Sequence, residues 1–458
     1  MNEPNHSVSA VLLVSCYELG HQPASLAGPL GFLRRAGIEA EALDVSVEGF
    51  DQKKIERARF VGISVPMHTA LRLGLKVALS VRRINPACHI CFYGLYASLN
   101  ADYLLRTVAD SVIGGEFESQ LVALVKSVDA GAKSKAELTV LERLDFPIPE
   151  RSRLPQLERY AKLEYMGEQR LAGYVEASRG CLHHCTHCPI PPVYNGRFFA
   201  VPKEVVIEDI RRLVGSGARH ITFGDPDFLN GPTHSLRICR AMSEEFPGLT
   251  FDFTAKVEHI IKHRSLIPEL ARLGCVFVVS AVESLSDTVL AQLEKGHTRS
   301  DVDLALEILN DAGVAMRPSF VSFTPWTTLQ DYIDVLEFVE SRGLIDHVDP
   351  VQYSIRLLVP PGSLLLSRPG TEAWLGPLVQ ESFSYEWSHP DPKMDELHKQ
   401  IAQMVEQAVS RNEDPGVTFY RIRDAAYRAR GDEKAINAAP RVAPIRGRPP
   451  RLTEAWFC

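Results

Sequence analysis

From Ser178 to Pro189 the chain reads Ser178-Arg179-Gly180-Cys181-Leu182-His183-His184-Cys185-Thr186-His187-Cys188-Pro189, which sets three of its nine cysteines at a C-x3-C-x2-C spacing. Three thiolates in so short a loop converge on one metal centre, and the fold around them has to hold that loop. Two chemistries compete for the triplet. A 4Fe-4S cluster ordinarily takes four cysteines, so three leave one iron open to another molecule. A structural zinc would take the three cysteines with one of His183, His184 or His187 in a closed tetrahedron. Three buried free thiols are the weakest reading, because cysteines this dense in a loop seldom serve core packing. The other six, Cys16, Cys88, Cys91, Cys239, Cys275 and Cys458, are scattered.

The flanking sequence supplies the scaffold. Apolar runs of strand length occur at 174–178, 220–223, 250–254, 276–282, 315–323 and 350–357, and helical patterns such as 203–213, 235–245 and 329–341 follow the first five. Such βα repeats predict a partial (β/α)6 barrel over 170–370, with the cysteine loop after its first strand, on the face where barrel active sites lie. Zinc knuckles are usually small and self-contained, so this placement favours the cluster over zinc. Ahead of it, strands at 10–15, 39–44, 60–65, 89–93 and 111–113 with helices at 23–36 and 70–84 predict a flavodoxin-like (Rossmann-like) parallel sheet over 1–130. The fold class is therefore α/β. Residues 131–169, charged and broken by Pro147, Pro149 and Pro155, read as a connector, and 371–458 as a small, mostly helical C-terminal region with amphipathic helices at 394–410 and 419–430 and a basic, Pro-rich tail.

Charge and hydropathy limit the function classes. With 50 Lys and Arg against 57 Asp and Glu the net charge is −7, so no nucleic-acid partner is expected. No apolar run approaches the ~18 residues of a membrane span, and the N-terminus lacks a basic secretory segment, so a cytoplasmic protein is expected.

The C-x3-C-x2-C loop after the first barrel strand resembles the defining signature of the radical S-adenosylmethionine (SAM) superfamily, over residues 174 to 366. That resemblance implies a 4Fe-4S cluster on Cys181, Cys185 and Cys188, with the amino and carboxyl groups of SAM on the fourth iron. It further implies one-electron cleavage of the sulfonium to a 5'-deoxyadenosyl radical that abstracts hydrogen. Where the family commonly has an aromatic residue before the last cysteine, near the adenine, this chain has His187, whose imidazole can still stack. Gly224, Asp225 and Asp227 stand where the family has a turn for the methionine amino group, or they form a Pro-Asp turn capping the next helix. Glu283 and Ser284 look like the ribose-binding segment. Lys256 and Glu258 face the same mouth, to hold the SAM carboxylate or to pair with each other.

The first domain resembles that of the cobalamin-binding subfamily in Pro29-Leu30-Gly31, Asp44, Ser64-Val65-Pro66-Met67, Gly94-Leu95-Tyr96-Ala97-Ser98 and Gly114-Gly115-Glu116-Phe117-Glu118. Ser64, Met67, Gly94, Tyr96, Gly114 and Glu116 are its candidate cobalamin contacts. The Asp-x-His-x-x-Gly motif of a lower histidine ligand is absent, and His21 and His68 lack its context. Cobalamin is then bound without that histidine, or the domain is a scaffold. A nicotinamide site is disfavoured, since no G-x-G-x-x-G follows the first strand. The resemblance implies methyl transfer to carbon or phosphorus if cobalamin binds. Without it, rearrangement, oxidation or sulfur insertion stays open. The expected partners are a small-molecule or peptide substrate, with Tyr194, Arg197 and Arg356 flanking the mouth, and an electron donor such as flavodoxin or ferredoxin. The rival from another class is a zinc-stabilised binding module.

The end of the chain, Trp456-Phe457-Cys458, follows Arg441, Arg446, Arg448 and Arg451, which read as a solvated arm. It resembles the tail of the CUAEP/CCAEP-tail radical SAM proteins, lacking the second member of the Cys pair. That resemblance implies a selenoprotein truncated at a UGA codon read as stop after Cys458; the alternative is a docked tail with an incidental cysteine. A UAA or UAG codon there would reject the truncation.

Overall fold

The computed structural model describes residues 11–131, 138–432 and 447–453. Its first sheet contains β1 (Val11–Ser15), β2 (Glu41–Asp44), β3 (Phe60–Ser64), β4 (His89–Tyr93), β5 (Ser111–Gly115) and β6 (Thr139–Val140), in the order β2-β1-β3-β4-β5-β6. All its pairings are parallel. Its strands are buried almost throughout, as a sheet with helices on both faces requires. The first five strands follow the flavodoxin-like order.

The second sheet comes from β7 (Lys162–Tyr165), β8 (Glu168–Val175), β11 (His220–Phe223), β12 (Thr250–Ala255), β13 (Cys275–Glu283) and β14 (Ala315–Phe320). Between β8 and β11 lies a short hairpin of β9 (Ser178–Gly180) and β10 (Phe198–Ala200). After β14 come β15 (Leu375–Val379), β16 (Ser384–Trp387) and β17 (Arg451–Leu452). The sheet order is β14-β13-β12-β11-β8-β7-β17, with β8 and β11 to β14 parallel and curled into a half-barrel. Helices such as Lys203–Gly215, Pro232–Glu245 and Leu329–Ser341 cover its outer face. Among the described residues no helix is long and apolar enough to cross a membrane.

Three expectations need correction. The sixth barrel strand does not form. Pro350–Ser354 is a 3-10 turn, and only a single bridge, Phe323 to Arg356, survives. Pro350 has no N–H to give a ladder, and the Gln352 side chain takes the ladder's place by accepting the Phe320 N–H at 2.9 Å. The 131–169 connector is divided between the two sheets, with β6 extending the first and β7 edging the second. The C-terminal region is mostly helical, with one hairpin added. Besides helices Pro392–Ser410 and Pro415–Arg430 it carries the β15–β16 hairpin, whose turn drives Phe383 into the core of the first domain. The arginine arm is paired where it is described: Arg448 meets Asp414 at 2.7 Å, Arg451 meets Glu164 at 2.7 Å, and β17 lies antiparallel on β7. Arg441, Arg446 and Trp456-Phe457-Cys458 lie outside the described residues.

Candidate active site

The cysteine loop is an excursion closed at its base by the β9–β10 ladder. Gly180, just before Cys181, has φ +73°, and a Cβ there would strike the Arg197 carbonyl oxygen at 2.3 Å, so only glycine lets the chain turn into the loop. Pro191 and Pro192 open the short helix Ile190–Tyr194 behind Cys188. From the far side Thr186 is clamped by the segment after β13: its N–H donates to the Leu293 carbonyl at 3.1 Å and its hydroxyl to the Gln292 carbonyl at 2.9 Å. Cys185 is buried, and Cys181 and Cys188 are partly so. Burial pushes the Cys188 thiol up to about 12, and the nearby Cys185 and Cys181 sulfurs add to the effect. Assembly of a metal centre on the three therefore releases protons.

None of the loop histidines turns toward these sulfurs. His183 meets Lys256 and His259, His187 meets Glu283, and His184 packs on Gly196. A zinc tetrahedron completed by histidine does not match this arrangement. Three cysteines without a fourth protein ligand among the described residues match a cluster with an open iron.

Around the triplet the strand ends bring charge together. Glu283, at the end of β13, sits at φ +66°, a left-handed conformation that costs an acidic residue about 1–3 kcal/mol and re-aims its side chain into the mouth. Its Oε1 lies 3.1 Å from Lys295 Nζ and 3.4 Å from His187 Nε2. Burial raises its pKa, but Lys295 and His187 outweigh it and hold the carboxyl well below the usual range. Ser284 accepts from the Ser286 N–H and so braces the turn after Glu283.

Asp225 and Asp227 are both engaged. Asp225 accepts from the Ala177 N–H at 2.9 Å and from the Ser178 hydroxyl, which ties the ends of β8 and β11 together. Asp227 caps the turn Phe228–Asn230 through the Leu229 N–H, and accepts the Lys256 N–H. These bonds brace the turn and the strand ends, and Asp227 is approached by His259 as well. Gly224 is required because a Cβ would meet the Tyr174 ring at 2.2 Å.

Lys256 Nζ lies 3.2 Å from Glu258 and 3.0 Å from His183 Nδ1; His183 Nε2 lies 3.1 Å from His259 Nε2, and His259 Nδ1 2.9 Å from Asp227. Lys256 can only donate. His183 therefore carries its proton on Nε2, gives it toward His259, and leaves the His259 Nδ1 proton facing Asp227. His183, Asp227 and His259 have the spacing of a metal site, but this tautomer chain leaves no lone pair on His183 Nε2.

The first domain meets this loop directly. Glu116 and Glu118, fully buried, face Arg179: Nη1 is 2.6 Å from Glu118 and 3.7 Å from Glu116, and Nε is 3.0 Å from Glu176 of the barrel. Tyr194 donates to Glu116 at 3.1 Å. Glu116 thus holds two domains together, and Tyr194 is committed to it. Arg197 bonds the Leu141 carbonyl, and Arg356 pairs with Asp395 at 2.7 Å while lying over the Trp387 ring.

The other candidate cobalamin residues are placed as follows. Ser64 and Tyr96 are buried, Met67 packs in the same core as Phe383, and the space beside Gly114 is filled by the Ser98 side chain. His21 stacks on Tyr174 with centroids 4.5 Å apart, and His68 Nε2 bonds the Ser382 carbonyl at 2.7 Å. The turn at Gly114 is thus filled by the chain's own Ser98, whereas a Cβ at Gly94 would meet the Val65 backbone only at contact distance, 3.4 Å. Open space of about 820 Å³ lies instead over the ends of β1 to β3, lined by Tyr17, Val45, Thr69, Leu73 and Tyr160 among others. Lys295, Asn230, Arg179 and His259 carry much of the site's bonding, yet no spacing rule in the sequence marks them.

Residues 175–339 match the family model described as the radical SAM superfamily, so the chain carries a radical SAM domain. Among curated proteins it is 28% identical over 204 residues to the tRNA-2-methylthio-N(6)-dimethylallyladenosine synthase of Desulfosudis oleivorans, covering 42% of each. The chain thus spans less than half the length of that relative. Among solved structures it is similar to the cobalamin-dependent SAM radical enzyme OxsB with aqua-cobalamin bound (TM-score 0.67, 17% identity, 88% of this chain and 67% of that one). It is also similar to the radical SAM methyltransferase TsrM of Kitasatospora setae (TM-score 0.62, 16% identity, 78% and 75%). At these identities the likeness is one of fold. A radical SAM domain implies a 4Fe-4S cluster and SAM, and both of these solved neighbours bind cobalamin.

Proposed function

From the radical SAM domain over residues 175–339 we infer that this chain is a radical enzyme that cleaves SAM reductively and starts hydrogen-abstraction chemistry on a small-molecule or peptide substrate. The observation that carries the reading is the loop itself, which presents Cys181, Cys185 and Cys188 and turns all its histidines elsewhere. The chemistry supplied there is one-electron cleavage of a sulfonium, with a 5'-deoxyadenosyl radical as product. The chain's own residues do the rest. Glu283, kept ionised by Lys295, offers a carboxylate to ribose hydroxyls, and the bracing of Asp225 and Asp227 fixes the strand ends that border SAM. The first domain covers one side of the loop through the contacts of Glu116 and Glu118 with Arg179 and Tyr194. Electrons come from a donor of the flavodoxin or ferredoxin class.

Anaerobic reconstitution tests this. The protein should turn brown, take up about four irons per chain, and release 5'-deoxyadenosine from SAM when reduced. A colourless protein holding one zinc would overturn the reading.

Methyl transfer through cobalamin is the subclass that the doubly wound first domain favours. The open space over β1 to β3 is where a corrin would enter, since Ser98 fills the turn at Gly114. Incubation with hydroxocobalamin followed by gel filtration should leave visible absorbance on the protein, and Leu73→Arg, on the wall of that space, should remove it. Absence of retained corrin in the unaltered protein, with SAM present, would make the first domain a scaffold.

A further inference from the structure

We propose that Asn230 tunes the cluster's reduction potential by donating its side-chain amide to the sulfur of Cys181. This rests on the cluster assignment above and extends it to a residue outside the cysteine loop.

Asn230 ends the turn Phe228–Asn230 after β11, and its backbone N–H is fixed on the Asp227 carbonyl at 3.1 Å. Phe228 and Leu229 beside it are almost wholly buried, and Asn230 itself is only 9% exposed. Its Oδ1 accepts the Leu182 N–H at 3.4 Å, which leaves Nδ2 facing Cys181 Sγ at 3.5 Å. The backbone donor therefore fixes which way the amide points.

A neutral thiol is a weak acceptor, so this buried amide gains little from it. A thiolate ligand makes the bond charge-assisted, and the bond strengthens further when the centre gains negative charge. Hydrogen bonds to cluster sulfurs are among the determinants of potential. Reduction adds one electron from an external low-potential donor and makes or breaks no covalent bond, so a donor on the sulfur favours the reduced state and raises the potential. Lys295 also lies near Cys188, but Glu283 at 3.1 Å offsets its charge.

The test is an EPR-monitored redox titration of the reconstituted full chain, with iron content measured first. Asn230→Leu keeps the volume and removes the donor; Asn230→Asp keeps the acceptor for Leu182 and replaces the donor by an anionic oxygen. Both should retain four irons and show a lower potential. Leu should shift the one-electron equilibrium about tenfold, or about 59 mV, and Asp at least as far. An unchanged potential in both variants with intact clusters overturns the proposal. So does loss of the cluster from both, which would make Asn230 a folding element of the loop. If the unaltered protein takes up no iron, the cluster assignment itself fails, a result separate from either.

Discussion

Cys185→Ala should give a colourless chain that holds no cluster and releases no 5'-deoxyadenosine. Cys185 is the buried member of the triplet, and the next residue, Thr186, is clamped from the segment after β13. Its sulfur therefore cannot be replaced by shifting the loop. Two of the loop histidines are engaged elsewhere, His183 by Lys256 and His259 and His187 by Glu283, and His184 lies against Gly196. Two thiolates are left for a centre that needs at least three protein ligands and one open iron. Iron analysis and the visible spectrum check the first consequence, and product analysis after reduction the second. Retention of half the iron or more in this variant would show that another side chain completes the ligand set.

Arg179→Met should destabilise the protein by about 3–5 kcal/mol near pH 8, the range expected when one partner of a buried ion cluster is removed. The guanidinium is the cation between Glu116, Glu118 and Glu176, and the first two are fully buried. Even with Arg179 present, burial pushes the Glu116 carboxyl up to about 7, against the pull of the arginine, and raises Glu118 as well. A carboxyl whose folded-state pKa is raised binds more protons folded than unfolded. Its contribution is therefore most favourable at low pH and is lost as pH rises toward that folded value. Removing Arg179 raises both acids further, so the deficit should shrink between pH 8 and pH 5 as they protonate. Denaturant midpoints measured across that range check it. A loss below about 1 kcal/mol, independent of pH, would mean that the interface relaxes and admits water around the acids.

The same interface shows where sequence reading stops. The strand at 220–223 and the helix at 329–341 fold over those residues, because an apolar period and the caps at their ends are local properties. Thr328 and Asp331 form a capping box three residues apart, visible in the chain itself. The sixth strand at 350–357 failed for a local reason that apolar content conceals: Pro350 has no N–H to give, and the side chain of Gln352 accepts the Phe320 N–H in place of a ladder. Glu283 was legible as a lone carboxylate ending an apolar strand, whereas Lys295, which keeps it ionised, lies beyond a helix.

What the sequence by itself determined is the chemistry on offer: three thiols at a fixed spacing, βα units repeated around them, and a doubly wound sheet ahead of them. These follow from nearest-neighbour geometry and from the period at which apolar side chains must face a core. Tertiary structure alone decided which partners complete that chemistry. Arg179 finds Glu118 across 61 positions, Phe383 enters a core built from residues near Met67, and Asn230 reaches Cys181 from another strand end. A charge or amide leaving water must be paired on arrival. The partner is whichever group the packing of the sheets brings within about 3 Å, and that proximity leaves no period or spacing in the chain to read.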